Sequence, residues 1–261
     1  MNPTEYVNIL AQRENQVFTL TINRPEVGNK FDPQTARELA DALRTFRDDI
    51  SLRVAVITGS GDKFFCIGGE HGEHEGPAHA NIMPIVDVYE LIDTIPKPII
   101  AAVNGFAVGG GNVLAMVCDL SIAADNAIFR QVGPMVGSFD AGYGTWYLEE
   151  TIGRKRAKEL WYLNHKYTAE QAREMGLVNE VVPSSELGRR VRELADELIQ
   201  RGPLALAGLK GAFSARHSGV SGMARIAHDQ LLTLYLTTQE SHELGSSFAE
   251  RRPPDTEVFW Q

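Results

Sequence analysis

Two short stretches carry residue types and spacings suited to chemistry. The first runs from Gly105 into Cys118 and contains three consecutive glycines, Gly109 to Gly111. A run without Cβ atoms takes conformations closed to other residues and lets a ligand approach the backbone. The next residues, Asn112 to Cys118, predict the start of a helix. Backbone N–H groups at a helix start lack intrahelical acceptors, and the helix dipole favours negative charge in front of them. The second stretch runs from Gln131 to Gly144 and places Ser138, Asp140 and Tyr143 within six residues, hemmed by Gly137, Gly142 and Gly144. An anion-stabilising turn followed by a polar loop predicts an active site. Taken alone, Ser138 and Asp140 also suit plain turn building, as Ser, Asp and Gly do routinely.

A third stretch raises metal binding. His71, His74 and His79 are interleaved with Glu70, Glu73 and Glu75. Gly72, Gly76 and Pro77 break the run, so no single helical face collects the ligands, and the expectation is a solvated loop or a lid and no metal.

The elements that would position these residues follow from patterning. The chain has 261 residues, which suits one large domain with at most a small appendage. Val7 to Leu10 and Val17 to Ile22, separated by the polar turn Gln12 to Gln16, predict a hairpin. Asp32-Pro33 supplies an N-cap and a first-turn proline for a helix carrying Ala36, Leu39, Ala40, Leu43 and Phe46. Arg53 to Thr58 and Ile99 to Val103 read as buried parallel strands, and Leu120 to Ala124 and Ala127 to Phe129 as two further strands. Strand, glycine turn and helix thus recur at 53–95 and 99–118, a weak internal repeat. Helices are expected over 145–152, 155–163 and 186–201, and after the Thr168-Ala-Glu-Gln171 capping box. From Pro203 to Phe248 the period is helical, with a glycine-serine break at 214–222. The division falls near residue 200: an α/β core over 1–200 and a C-terminal helical region over 201–261.

Composition narrows the classes. Twenty-five Lys and Arg against 34 Asp and Glu give a net charge of −9, which argues against nucleic-acid binding. Cys66 and Cys118 are too few for a disulfide framework. No secretory or lipidation pattern opens the chain and no apolar run reaches about 18 residues, so a cytoplasmic protein without membrane contact is expected.

Across nearly its full length the chain resembles the crotonase, or enoyl-CoA hydratase/isomerase, superfamily. The resemblance rests on Asn23-Arg-Pro25, Phe65-Cys-Ile-Gly-Gly-Glu70, Pro96-Lys-Pro-Ile-Ile-Ala-Ala-Val-Asn-Gly105, the Gly109 to Gly111 run, Cys118-Asp119, and Ala172 through Gly176-Leu-Val-Asn-Glu-Val-Val-Pro183. It implies an α/β spiral of strand-strand-helix units with a C-terminal helical region, a homotrimer or homohexamer, acyl-CoA substrates, and no cofactor beyond the substrate's own CoA. It also implies that the N–H groups of Gly69 and Gly110 hold the thioester oxygen as an enolate, with Lys30, Phe248 and Arg251 against CoA. The family's hydratases use two glutamates around one water; the matching positions here are Val113 and Gly133, so plain hydration is not expected.

The Gln131 to Gly144 loop resembles two neighbouring subfamilies: 2-ketocyclohexanecarboxyl-CoA hydrolase, which opens a ring, and 1,4-dihydroxy-2-naphthoyl-CoA synthase, which closes one. Both share the Ser138/Asp140 pair. The resemblance places Gln131, Val132, Gly133, Tyr143 and Trp161 on the acyl group, and His74 in a lid. Val132 stands where many synthases have a threonine that helps hold bicarbonate, and Gly72 and His74 stand where they have lysine and arginine; the hydrolase pattern fits better. Both subfamilies have aspartate and glutamine at Glu70 and His71. A synthase tyrosine falls at Leu236, with Tyr235 one residue before it as a candidate. The expected reaction is ring-opening hydrolysis of a cyclic β-ketoacyl-CoA, with Asp140 or His74 as base and Ser138 orienting Asp140. Its rivals are the ring closure and a non-catalytic assembly or RNA-binding subunit.

Overall fold

The computed structural model describes residues 6–70, 84–136, 142–225 and 237–260. The chain forms two compact units, Met1–Pro203 and Leu204–Gln261.

The first unit opens with a hairpin of β1 (Ile9–Glu14) and β2 (Val17–Ile22). The hairpin turn is shorter than the polar Gln12 to Gln16 segment suggests. Polar residues 12–14 stay in β1, which is an edge strand with an exposed face, and Asn15 alone takes a positive φ of 53°. Helix α1 (Pro33–Asp48) starts where Asp32-Pro33 predicts: Asp32 accepts from the Thr35 N–H at 2.7 Å.

Three strand-strand-helix units follow. They comprise β3 (Val54–Gly59), β4 (Phe64–Cys66) and α2 (Pro84–Thr94); β5 (Ile99–Val103), β6 (Phe106–Val108) and α3 (Gly110–Val117); and β7 (Leu120–Ala124), β8 (Ile128–Arg130) and α4 (Tyr143–Ile152). Each unit gives its first strand to one sheet and its second to another. The six-stranded sheet has the order β1-β2-β3-β5-β7-β10, where β10 is Glu180–Val182; the four-stranded sheet has the order β4-β6-β8-β9, where β9 is Tyr167–Thr168. Apart from the β1–β2 and β8–β9 pairs, every pairing is parallel.

The parallel strands are covered on both faces, which explains their continuous apolar runs. Val54, Val56, Ile100, Ala102, Ile122 and Ala124 pack with Leu187, Val191 and Ala195 of α7 (Leu187–Ile199). The alternate residues Ala55, Ile57, Ile99, Ala101, Val103 and Ala123 enter the main core with α1, α2 and α3. The unit is completed by α5 (Arg154–Leu163) and by α6 (Ala169–Met175), whose Thr168/Gln171 capping box is formed.

The second unit holds α8 (Pro203–Arg225), kinked where Gly219 leaves helical geometry, and α9 (Gln239–Glu250). Arg252 pairs with Glu243 and Glu250, tying the tail to α9. Among the described residues no helix is long and apolar enough to cross a membrane.

Three short elements depart from the patterning. β6 and β9 are too short to show a period, and α3 begins at Gly110, so that two of the three consecutive glycines form its first turn. In α4 the helix likewise starts earlier than residue 145, at Tyr143.

Burial works to raise the Asp32 carboxyl, but the Thr35 N–H and hydroxyl and the Arg24 charge hold it below the usual carboxylate range. Asp32→Ala should therefore lower unfolding free energy at pH 7 by about 1–2 kcal/mol in urea titrations. A depressed carboxyl stabilises above its unfolded value and loses that contribution as pH falls through the folded one. The gap between the two proteins should then shrink below about pH 4.

Candidate functional site

The site forms where β4 and β6, parallel neighbours, run out at the same end. Each strand passes into a glycine at positive φ, Gly68 at 93° and Gly109 at 57°. That region is strained for any residue with a Cβ. Each is followed by one of the two expected donors.

Gly69 lies in an isolated parallel bridge with Phe31. The bridge uses its neighbours: Phe31 N–H donates to the Gly68 carbonyl and Glu70 N–H to the Phe31 carbonyl, both at 3.0 Å. Successive N–H groups of an extended chain point to opposite sides, so the Gly69 N–H is turned away from Phe31's backbone. Gly110 is the first residue of α3, where the N–H has no acceptor inside the helix. The helix behind it is buried from Gly111 to Val117, where a dipole is weakly screened. The Gly68 carbonyl takes the Phe31 N–H, and the Gly109 carbonyl takes the Val113 N–H at 3.1 Å. These are the carbonyls of the two donor peptides, so each peptide is polarised toward a stronger N–H.

The glycines are required by space. A Cβ at Gly110 would lie 2.6 Å from Cζ of Phe31 and 3.1 Å from the Tyr89 hydroxyl. A Cβ at Gly69 would lie 3.0 Å from Cε2 of the same ring, and one at Gly68 would lie 3.2 Å from the Gly110 nitrogen. The two turns are therefore in contact and share one phenyl ring. Tyr89, nearly fully buried on α2, donates its hydroxyl to the Gly110 carbonyl at 3.0 Å.

The remaining expected residues distribute unevenly. Gln131 follows β8 and is fully buried with both amide atoms unpartnered among the described residues; Asn112, in the first turn of α3, is in the same condition. Val132 lies against Gly109, with its Cγ2 3.6 Å from where a Cβ there would be, and Gly133 opens a short 3₁₀ turn. Val113 is fully buried in the apolar core.

Tyr143 stacks on Tyr147 at a centroid distance of 5.5 Å and meets the Tyr89 ring at a tilt of 55° and 5.7 Å. Burial, with Asp93 and Glu90 adding, pushes its phenol up to about 12, so it keeps its proton at neutral pH. Trp161 is buried and its indole N–H donates to the Gly144 carbonyl at 2.9 Å, which anchors the start of α4. The Lys30 carbonyl accepts from Arg24 at 3.0 Å. Arg251 is exposed at a positive φ of 55°, in the second unit.

His74, Ser138, Asp140 and Tyr235 lie outside the described residues, as does the Phe248 side chain. So does the histidine run after Glu70; among the described residues no three His, Cys, Asp or Glu side chains cluster as metal ligands. Burial pushes the Cys66 thiol up to about 12, which excludes it as a thiolate nucleophile.

Sequence reading missed Phe31, Tyr89 and Arg24. Phe31 and Tyr89 carry nothing in their sequence context that sets them apart from core aromatics. Arg24 stood in a quoted motif, but its partners are distant in sequence: Asp32 at 3.2 Å and Glu70 at 2.9 Å.

With this geometry in place, the relatives are informative. A family model described as enoyl-CoA hydratase/isomerase matches residues 12–258. An enoyl-CoA hydratase from Bacillus anthracis is 30% identical, with 95% of this chain and 98% of that one covered and a TM-score of 0.75. An enoyl-CoA hydratase subunit I from Geobacillus kaustophilus HTA426 is also 30% identical, covering 97% and 98%, at a TM-score of 0.78. A monofunctional enoyl-CoA isomerase from M. smegmatis is 30% identical over 82% of this chain and 97% of its own, at a TM-score of 0.70.

The packing makes a contrast between glycines. A Cβ at Gly111 would stand 1.9 Å from the Cys66 carbonyl oxygen, whereas one at Gly188 on α7 meets nothing within 4 Å. Gly111→Ala should cost about 3 kcal/mol of stability or prevent folding. Gly188→Ala should gain about 0.5–1 kcal/mol from helix propensity. Urea unfolding of the two variants measures both.

Proposed function

The chain belongs to the enoyl-CoA hydratase/isomerase family, and on that premise we propose that it opens the ring of a cyclic β-ketoacyl-CoA by hydrolysis, with 2-ketocyclohexanecarboxyl-CoA as the model substrate. The N–H groups of Gly69 and Gly110 hold the thioester oxygen. Water adds to the ring ketone, and Asp140 or His74 takes its proton. The bond between Cα and the former ketone carbon breaks. Its electron pair enters the thioester as an enolate, and protonation at Cα leaves a ring-opened acyl-CoA carrying a new carboxylate.

The observation that carries this reading is the donor pair without the hydratase carboxylates. The two peptides are built to receive negative charge, a device worth roughly 3–4 kcal/mol per donor in transition-state stabilisation. Yet the positions where hydration needs glutamates hold a core valine and a turn glycine. The chemistry supported is enolate formation by a route other than addition of water across a double bond. The buried amides of Gln131 and Asn112 add support, because a polar acyl group gives such amides a partner that an alkyl chain cannot. In this proposal Ser138 orients Asp140, Tyr143 and Trp161 belong to the acyl site, and Lys30 serves CoA. Assembly as a homotrimer or homohexamer in the cytoplasm, without a cofactor beyond the substrate's CoA, belongs to the same proposal.

Incubation with 2-ketocyclohexanecarboxyl-CoA should yield a product heavier by one water with CoA still attached, by mass spectrometry. Asp140→Asn should lower kcat by about 100-fold or more if Asp140 is the base. Unchanged substrate would remove the ring-opening reading. Bicarbonate-dependent turnover of o-succinylbenzoyl-CoA would put ring closure in its place, and CoA-thioester binding without any turnover would indicate a non-catalytic subunit.

A further inference from the structure

The segment carrying the Gly69 donor, Ile67 to Glu70, has only one polar side chain, that of Glu70. Its Oε1 meets Nη2 of Arg24 at 2.9 Å. The same guanidinium meets Asp32 at 3.2 Å and donates to the Lys30 carbonyl at 3.0 Å. All three ion-pair side chains are largely shielded, with relative exposures of 16%, 17% and 27% for Arg24, Asp32 and Glu70. Arg24 is itself fixed: its N–H donates to Oδ1 of the fully buried Asn29, and Asp32 is locked as the cap of α1. Glu70 is thus fastened to the start of a 16-residue helix through one cation.

We infer that Arg24, through Glu70, is a positioning residue that sets the direction of the Gly69 N–H. The inference rests on the proposed reading of Gly69 as an enolate donor. Two backbone hydrogen bonds to Phe31 bracket Gly69, one on each side. Each engages one of the two peptides that meet at Gly69, and glycine has no side chain to resist torsion about its own Cα. The ion pair adds a side-chain tether on the C-terminal side, where Glu70 would otherwise be held by its backbone N–H alone. The role is oriented toward charge in the bound thioester, not toward CoA affinity.

Acetoacetyl-CoA tests this. It is a β-keto thioester whose enolate absorbs in the near ultraviolet, so the bound enolate fraction reports the donor pair without turnover. The unsubstituted protein should raise that fraction above its value in free solution at the same pH. Glu70→Ala and Arg24→Met should each lower the enolate-to-keto ratio about tenfold, as expected for a misdirected donor. Affinity for free CoA by calorimetry should stay within about twofold. The double variant should fall no further than the single ones, because one path is removed twice. If Arg24→Met does not fold, Glu70→Ala carries the test, since Asp32 and Asn29 still hold Arg24. An unchanged enolate fraction in Glu70→Ala, or losses that add in the double variant, would overturn the role of Arg24 alone. If the unsubstituted protein leaves the enolate fraction at its solution value, the Gly69 and Gly110 reading fails and this inference with it.

Discussion

The site depends on the parallel pairing of two three-residue strands, β4 and β6. Parallel strands deliver their C-terminal ends to the same edge, so whatever follows each strand emerges beside the other. Here each is followed by a glycine at positive φ and then by a glycine whose N–H is left without a secondary-structure partner. Both glycines are half-buried, and an N–H shielded from water without a partner is costly. The remedy used elsewhere, a capping side chain, is absent, since the N-cap of α3 is Gly109. The volume that side chains would occupy is filled instead by Phe31, whose ring touches the Cβ positions of both donors. The arrangement excludes side chains from both turns, and in the reading proposed above the two N–H dipoles serve one oxygen, which would be preorganisation in its electrostatic sense.

Such a turn is only as accurate as its carriers. The three repeat units place β3, β5 and β7 side by side in one sheet and β4, β6 and β8 in the other. The first sheet is clamped between α7 and the main core, so its strands have no freedom to slide. Two side-chain amides, the fully buried Asn29 and the half-buried Asn104, brace the chain between β3 and β4. Asn29 donates to the Phe64 and Ser60 carbonyls at 2.7 and 3.0 Å, and Asn104 to the Gly59 and Gly61 carbonyls at 2.8 and 2.7 Å. These bonds hold the crossing from β3 to β4. The equivalent crossing from β5 to β6 is tight at Gly105, where a Cβ would stand 2.2 Å from the Lys63 carbonyl oxygen. The positions of Gly69 and Gly110 are thus fixed by backbone and amide contacts spread over the whole first unit.

This explains what could be read in advance. Patterns longer than about five residues were legible: the α1 cap and its apolar face, the buried strands, the capping box before α6, and the glycine run itself. The repeat was legible as a sequence of elements, but its structural meaning, one strand to each of two sheets, was not, because β6 and β9 are too short to have a period. Glu70 stood out as a departure with no explanation, since an ion pair across 46 residues leaves no local trace. Phe31 and Tyr89 were invisible as site residues for a simpler reason: a ring that shapes a backbone turn has the same hydrophobic signature as one that fills a core.

Because the donors are backbone groups, they constrain the reaction less than the side chains around them do. Any thioester enolate suits two N–H groups, so the family's electrostatic device does not by itself entail hydration. In the proposed reading the choice lies with side chains near the two glycine turns and after β8, and the described ones there are consistent in kind. Val113 and Gly133 cannot move protons, and Val132 offers no hydroxyl. Gln131 and Asn112 bring four amide atoms into full burial without partners among the described residues. Each amide left so costs about 1–3 kcal/mol, a penalty that leucine or valine at the same places would avoid. A site selected for hydrocarbon chains gains nothing by bearing it. In the ring-opening reading proposed above, an oxygen-bearing acyl group, or the water that attacks one, would recover it on binding, and the same amides would then reject substrates that lack the oxygen.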